Sequence, residues 1–301
     1  MSATQNPIIA FADAITEAGL GAPAIIPDGV LHRHHIEGDR PGTLNGWHVL
    51  HLDGVPAGAF GSWKTGESVS WSSRAKADLT LSDRIRMAQI LANARQRHSD
   101  ERRQGQEIAA SRAMRLWTQA RPAEPQHPYL VAKQVSPHGI RQAGSLLLVP
   151  VTDGERLVSI QTITGTGDKR FLKGGRMAGG FYRIPGASAA SPLVIGEGFA
   201  TVASLVERHD CPGVVAFNAG NLLAVAKEMR RRYPEAAIVL ASDNDAWTPG
   251  NPGATKARAA AVAIRAKLMI PDFTGMDLSG KPTDWNDYYR LTGATLARGT
   301  V

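Results

Sequence analysis

The last third of the chain alternates short β-branched runs with helical stretches, and this alternation restricts the possible folds more than any other feature. Leu193-Val194-Ile195, Val214-Val215-Ala216-Phe217 and Ala237-Ile238-Val239-Leu240-Ala241 read as strands. Helices are expected over 199–207 and 222–233, with an alanine-rich one over about 254–268. Apolar strands separated by helices in this way build a parallel, doubly wound sheet covered on both faces. Such sheets receive their ligands at the carboxyl ends of the strands.

That rule directs attention to the acids. Glu197 ends the first strand within Gly196-Glu197-Gly198, while Asp243 and Asp245 end the third. In an extended Asp-x-Asp both side chains point the same way, and clustered carboxylates are the oxygen donors a divalent cation needs. A second pair, Asp284 and Asp287, lies in Lys281-Pro282-Thr283-Asp284-Trp285-Asn286-Asp287 at one-turn spacing on an expected helix start. Singly, each acid could be a helix cap or a surface residue. Their joint placement at strand and helix ends is what points to a shared metal site.

The preceding sequence has a different texture. Residues 1–78 read as a small α+β domain, with a helix over about 8–18 and short strands over 46–52 and 69–72. The interleaving of Phe60, Trp63, Lys64, Trp71, Arg74 and Lys76 suits either a strand surface that stacks bases or a small core filled by aromatics. His32-Arg33-His34-His35 is not taken as a metal site, because adjacent histidines on extended chain face opposite ways and no cysteine supports them.

Residues 79–121 form a basic helical segment, in which nine arginines face three acids between Arg84 and Arg121, so most of the net charge of +7 sits here. One amphipathic helix would bury Ile85, Ala88, Ile90, Leu91 and Ala94, and a second, over 106–119, would turn Ile108, Leu116 and Trp117 inward. The exposed arginines are either a solvated face or a DNA-binding surface of Arg84, Arg95, Arg102, Arg103, Arg112 and Arg115 that tracks template phosphates. After a Pro-rich hinge, a β-rich segment over 126–190 begins with a hairpin turning at Asp153-Gly154. It continues into a glycine-rich run carrying Lys169, Arg170, Lys173 and Arg176, which would bind a triphosphate or form a mobile hairpin tip.

Composition removes several classes. With 301 residues, 43% of them hydrophobic and 20% charged, the chain is globular and long enough for roughly two domains. Its longest apolar stretches fall far short of the roughly 20 residues of a membrane span. The start lacks the basic and apolar regions of a secretory leader, so a cytoplasmic location without membrane contact is expected. The single cysteine, Cys211, excludes an internal disulfide and a cysteine-rich zinc site.

Gly196-Glu197-Gly198-Phe199-Ala200-Thr201, Asp243-Asn244-Asp245 and Lys281 through Asp287 together resemble the Toprim domain. The first element is similar to the EGYATA signature of primases from conjugative plasmids and satellite phages, with Phe199 in place of Tyr and Val202 in place of the last Ala. The motifs cover about 191–292, and the resemblance implies a Toprim-like doubly wound α/β sheet over 191–301, preceded by an α+β and helical N-terminal region. It also implies a DNA primase: a Mg2+-dependent nucleotidyltransferase, with Mn2+ able to substitute and no zinc. Such an enzyme synthesises short RNA primers on single-stranded DNA from ribonucleoside triphosphates during plasmid, phage or mobile-element replication, with a replicative helicase as candidate partner. Glu197, Asp243 and Asp245 would correspond to the catalytic, metal-binding acids, and Asp284 and Asp287 to the later acidic motif. Lys169, Arg170, Lys173 and Arg176 would hold the nucleotide. Thr201 departs from the bacterial pattern, which often has an acid there, so one metal contact would be lost or moved. With no zinc module, template recognition would fall to the basic helices, a partner domain or a separate protein. A Toprim nuclease and a non-catalytic single-stranded-DNA-binding accessory are the alternatives.

Overall fold

The structure is a computed structural model that describes residues 6–186 and 191–293. The outer ends of the expected first and last segments, and residues 187–190 of the β-rich segment, lie outside the described residues. The chain divides into two compact units, residues 1–103 and 104–301.

The first unit contains α1 (Pro7–Glu17) and the antiparallel strands β1 (His32–His34), β2 (Gly46–His51), β3 (Ala57–Ser62) and β4 (Ser68–Ser72), in spatial order β1-β2-β3-β4. It also holds the first part of α2 (Leu81–Gln119). Alternation along β2 sends Trp47 and Val49 to one face, where Ile90 and Ala94 of α2 cover them. Leu50 goes to the other face, under Phe11 and Ile15 of α1. The aromatics therefore fill this core. Phe60 is buried, Trp71 lies edge-on to Phe11 with ring centroids 5.2 Å apart, and Trp63 is stacked between Trp47 at 4.7 Å and His98 at 3.8 Å. A base-stacking strand surface built from these rings is thus replaced by a packed interior, since each ring gains more from burial than it could retain in water.

The helix α2 is a correction to the expected pair. Its 39 residues run without interruption through Gly105, whose cost of about 1 kcal/mol relative to alanine weakens a helix without ending it. In the second unit its buried stripe is Ala109 and Ala113, with Trp117 and Ala120 partly buried against Leu148, Leu157 and Ile160. Ile108 and Leu116, expected to face inward, are exposed, because the stripe that meets the sheet is the one carrying Ala109, Ala113 and Trp117.

Two sheets organise the second unit. The first is antiparallel, in order β5-β6-β7-β8-β9, from β5 (Arg121–Pro122), β6 (Arg141–Ala143), β7 (Leu146–Thr152), β8 (Leu157–Ile163) and β9 (Lys169–Phe171), with α3 (Pro128–Lys133) between β5 and β6. Gly154, at φ +98°, turns the expected hairpin between β7 and β8. The second sheet contains β10 (Tyr182–Ile184), β11 (Leu193–Gly196), β12 (Gly213–Val215), β13 (Ile238–Ala241) and β14 (Lys267–Met269) in order β10-β12-β11-β13-β14. All its pairings are parallel except that of the edge strand β10. Helices α4 (Phe199–His209), α5 (Ala219–Arg232), α6 (Pro252–Ile264) and α7 (Trp285–Leu291) complete the unit. One core joins Phe199, Val202 and Val206 of α4 to Leu147 and Val149 of the antiparallel sheet, and the other places α5 and α6 against the parallel sheet. The doubly wound α/β reading holds.

Candidate active site

Strand register sets the position of the acids. β11 pairs with β13 so that Gly196 stands opposite Ala241, and the next residues, Glu197 and Ser242-Asp243, emerge side by side at the carboxyl rim. Glu197 Oε1 and Asp243 Oδ1 are buried there without a hydrogen-bond partner. Loss of hydration, followed by repulsion from Asp245 and opposed by Lys256 and a hydrogen bond from the Ala219 backbone, pushes Glu197 up to about 7. Burial first, then Glu197, Asp284 and Asp245, push Asp243 up to about 8, with Lys169 opposing. Two half-buried carboxylates that repel each other and each bury one oxygen without a partner have a strong preference for a cation.

The loop carrying Asp243 and Asp245 is fastened on several sides. The Asp245 N–H donates to Asn251 Oδ1 at 3.0 Å, and Asn251 Nδ2 donates to Asn244 Oδ1 at 2.8 Å. The Asn244 N–H reaches the Thr283 carbonyl at 2.6 Å, and its Nδ2 reaches the Pro271 carbonyl at 3.0 Å. Asn251 is itself left-handed at φ 41° and caps α6, so one side chain ties the helix start to the acidic loop. The Gly253 N–H donates to Asp245 Oδ2 at 3.2 Å; a Cβ at Gly253 would lie 2.7 Å from that oxygen, closer than van der Waals contact allows.

The later acids take different places. Asp284 caps α7, its Oδ1 accepting from the Asp287 N–H at 2.8 Å, and its charge reaches Asp243, Lys169 and Tyr129. Asp287 accepts from Lys133 Nζ at 3.3 Å and from the Thr283 N–H at 3.2 Å, so its carboxylate serves the attachment of α7. Asn286 beside it donates to the Lys133 carbonyl at 2.6 Å and to Ser204 Oγ at 2.8 Å.

The four cations of the glycine-rich run also separate. Lys169 Nζ would be 3.7 Å from a Cβ on Gly198, next to Glu197. Dense protein around its amine lowers its pKa while Asp284 pulls it back up, Lys133 lowers it and Asp243 raises it; the residue remains open to water, so the amine is crowded rather than sealed. Arg176 instead pairs with Asp153 at the β7–β8 turn. Arg170 and Lys173 are exposed. Of the helical arginines, all six named candidates are exposed. In the first unit Arg95 donates to Ser68 Oγ at 2.5 Å and Arg103 pairs with Asp100 at 2.7 Å, alongside Arg84 and Arg102. Arg112 and Arg115 belong to the second unit.

Three contributors were missed by sequence reasoning. Lys256, on the second turn of α6, is the cation that Glu197 feels. Tyr129 is 3% exposed, and its hydroxyl lacks a partner within the field of Asp284. Asn251 organises the Asp-x-Asp loop. Only the αL asparagine before a proline, Asn251-Pro252, had a recognisable cue, that of a helix start.

The unpaired oxygens of Glu197 and Asp243 fit a divalent cation. Among the described residues no three His, Cys, Asp or Glu side chains stand close enough to form a complete cage. Mg2+ commonly binds through one or two carboxylates, with waters and substrate phosphates supplying the rest, so this pair suits that mode. Among the described residues no helix is long and apolar enough to cross a membrane.

Residues 192–295, a parallel sheet with acids at adjoining strand ends followed by an acidic helix start, match the family model of the Toprim domain. The chain is similar to a protein from Escherichia coli named DNA primase TraC, with 36% identity over 294 residues, covering 91% of this chain and 20% of that protein. A second Escherichia coli protein of the same name is 35% identical over 288 residues, covering 89% of this chain and 27% of its own length. The chain thus spans about a fifth to a quarter of these curated relatives. Among solved structures it is similar to the primase fragment of the bacteriophage T7 primase-helicase protein, at 14% identity and a TM-score of 0.40, covering 58% of this chain and 75% of that one.

Proposed function

We propose that this chain is a DNA primase core that synthesises short RNA primers on single-stranded DNA by divalent-metal-dependent nucleotidyl transfer, in the replication of a plasmid, phage or other mobile element. The observation that carries the proposal is the pair of unpaired buried oxygens on Glu197 and Asp243, in a chain similar over nine-tenths of its length to proteins named as primases. A replicative helicase is the partner class this reading calls for.

Glu197 and Asp243 would hold Mg2+, or Mn2+ in its place, with Asp245 and Asp284 adding negative field. The bound cation would lower the charge on the triphosphate and favour the anionic form of the attacking hydroxyl. In the reaction a primer 3′-oxygen bonds to the α-phosphorus, the bond from that phosphorus to the β-phosphate oxygen breaks, and pyrophosphate leaves. Glu197 either shares the ion or takes the hydroxyl proton. Lys169, across the rim, would neutralise the phosphates, while Asn251 and Gly253 hold Asp245 in register. Arg170, Lys173 and the exposed helical arginines remain candidates for longer-range phosphate contact.

Incubation of the purified chain with single-stranded DNA, labelled ribonucleotides and Mg2+ tests the proposal. New oligomers, abolished by Glu197→Gln or Asp243→Asn, support it. Shortened DNA would indicate a nuclease, and a mobility shift without synthesis would indicate a binding accessory.

A further inference from the structure

β9 crosses the carboxyl rim of the parallel sheet with two side chains on one face. Residues 169 and 171 share that face by strand alternation. Lys169 reaches Gly198, and Phe171 meets Phe217 at 81° with ring centroids 5.9 Å apart. β11 and β12 pair with Gly196 opposite Val215, so Gly198 and Phe217 stand level at the ends of neighbouring strands. The cation of β9 therefore lies over one strand end and its ring over the next. Two residues of strand separate them by about 7 Å, the reach of a ribose between phosphate and base.

The two phenylalanines are unlike in burial. Phe217 is 8% exposed, within the core, whereas Phe171 is 37% exposed. Phe217 also holds a left-handed backbone at φ 71°, a conformation bulky residues avoid and one that concentrates at functional sites. The result is a fixed aromatic wall that holds Phe171 upright at the mouth of the acidic rim with one side open to water.

We propose that Phe171 is the base platform for the incoming ribonucleoside triphosphate: the nucleobase stacks on its open face while the phosphates meet Lys169 and the acids. This rests on the nucleotidyl-transfer reading above and names a binding residue for the same site. Because every base presents a π-face, the platform tolerates all four ribonucleotides, leaving base choice to template pairing.

The test measures binding of Mn2+–ATP, Mn2+–UTP and Mn2+–inorganic triphosphate to the full chain, beside primer synthesis by the same preparations. Phe171→Ala is expected to weaken both nucleotides about tenfold while leaving inorganic triphosphate within about twofold, as stacking losses dictate. Phe171→Leu, which keeps an apolar side chain without a π-face, behaves like the alanine variant, and Phe171→Trp retains nucleotide affinity. Lys169→Ala weakens all three ligands. Unchanged nucleotide binding in Phe171→Ala, or an equal loss for inorganic triphosphate, overturns the platform. If the expected pattern is found in a chain that makes no primers, the platform stands and the primase reading falls; if the wild-type chain binds none of the three ligands, both fall.

Discussion

Replacing Asp243 by asparagine should make the metal-free protein more stable at alkaline pH, although it removes a residue the proposed chemistry requires. Burial and the charges of Glu197, Asp284 and Asp245 raise Asp243 from 3.8 to about 8. A raised folded-state pKa means that stability is fully present below the unfolded value, near 4, and drains away as pH rises through about 8. At ~1.36 kcal/mol per pH unit, that displacement corresponds to a ceiling of roughly 5–6 kcal/mol. Glu197, pushed up to about 7, shares the same repulsion, so the two titrate together and about half the ceiling, ~2–3 kcal/mol, is the expected gain from neutralising one of them. For a unit of this size that is a rise in Tm of roughly 5–10 °C. The assay is thermal unfolding in EDTA at pH 4, 5, 7 and 8.5. The wild type and Asp243→Asn should melt together at pH 4, where both side chains are neutral, and diverge progressively toward pH 8.5. Adding Mn2+ at pH 8.5 should raise the wild type and leave the variant unmoved. Curves that stay parallel across the whole range, or a variant less stable at pH 8.5, would refute the electrostatic reasoning.

Other perturbations separate the parts of the site. Asn251→Ala removes the α6 cap and leaves alanine in a left-handed conformation, so it should cost ~2–3 kcal/mol in denaturant unfolding, while Asn251→Gly should cost about 1 kcal/mol or less; both should weaken Mn2+ binding about tenfold, since both release Asp245. Gly253→Ala should change stability by no more than about 1 kcal/mol, because improved helix propensity offsets the contact, yet displace Asp245 Oδ2 and lower primer synthesis at least about tenfold. Lys169→Ala should raise the KM for ribonucleotides at least about tenfold, as loss of a charge-assisted phosphate contact does. Arg176→Ala, whose partner is Asp153, should leave that KM within about twofold.

The parallel sheet was legible because β-branched runs such as Val214-Val215 and Ile238-Val239 need burial on both faces, and its acids were legible because strand ends are where such sheets bind ligands. β14 was not: Lys267-Leu268-Met269 continues an alanine-rich helical pattern without glycine or proline, and the helix stops only because Arg265 turns left-handed at φ 53°. The alternative readings of the aromatics in residues 1–78 depended on which face Trp47, Trp63 and Trp71 would share, a property of the pairing between β2, β3 and β4 rather than of any one strand. Within the glycine-rich run, Lys169 and Arg176 are alike in sequence; only the crossing of β9 over Gly198, and the approach of Asp153 to Arg176, tell them apart. Asn251, Tyr129 and Lys256 act through contacts or fields that join distant stretches of chain, which no local spacing reveals.

Crystals grown with Mn2+ and a non-hydrolysable ribonucleoside triphosphate, with the ion located by its anomalous scattering, test the central claim most directly. The account predicts one peak shared by Glu197 and Asp243, each carboxylate within about 2.1 Å as hard octahedral ions require, with phosphate oxygens completing its shell and Lys169 on the far side of the phosphates. An ion bound away from that pair, or Glu197 and Asp243 turned apart with the nucleotide in place, would contradict it.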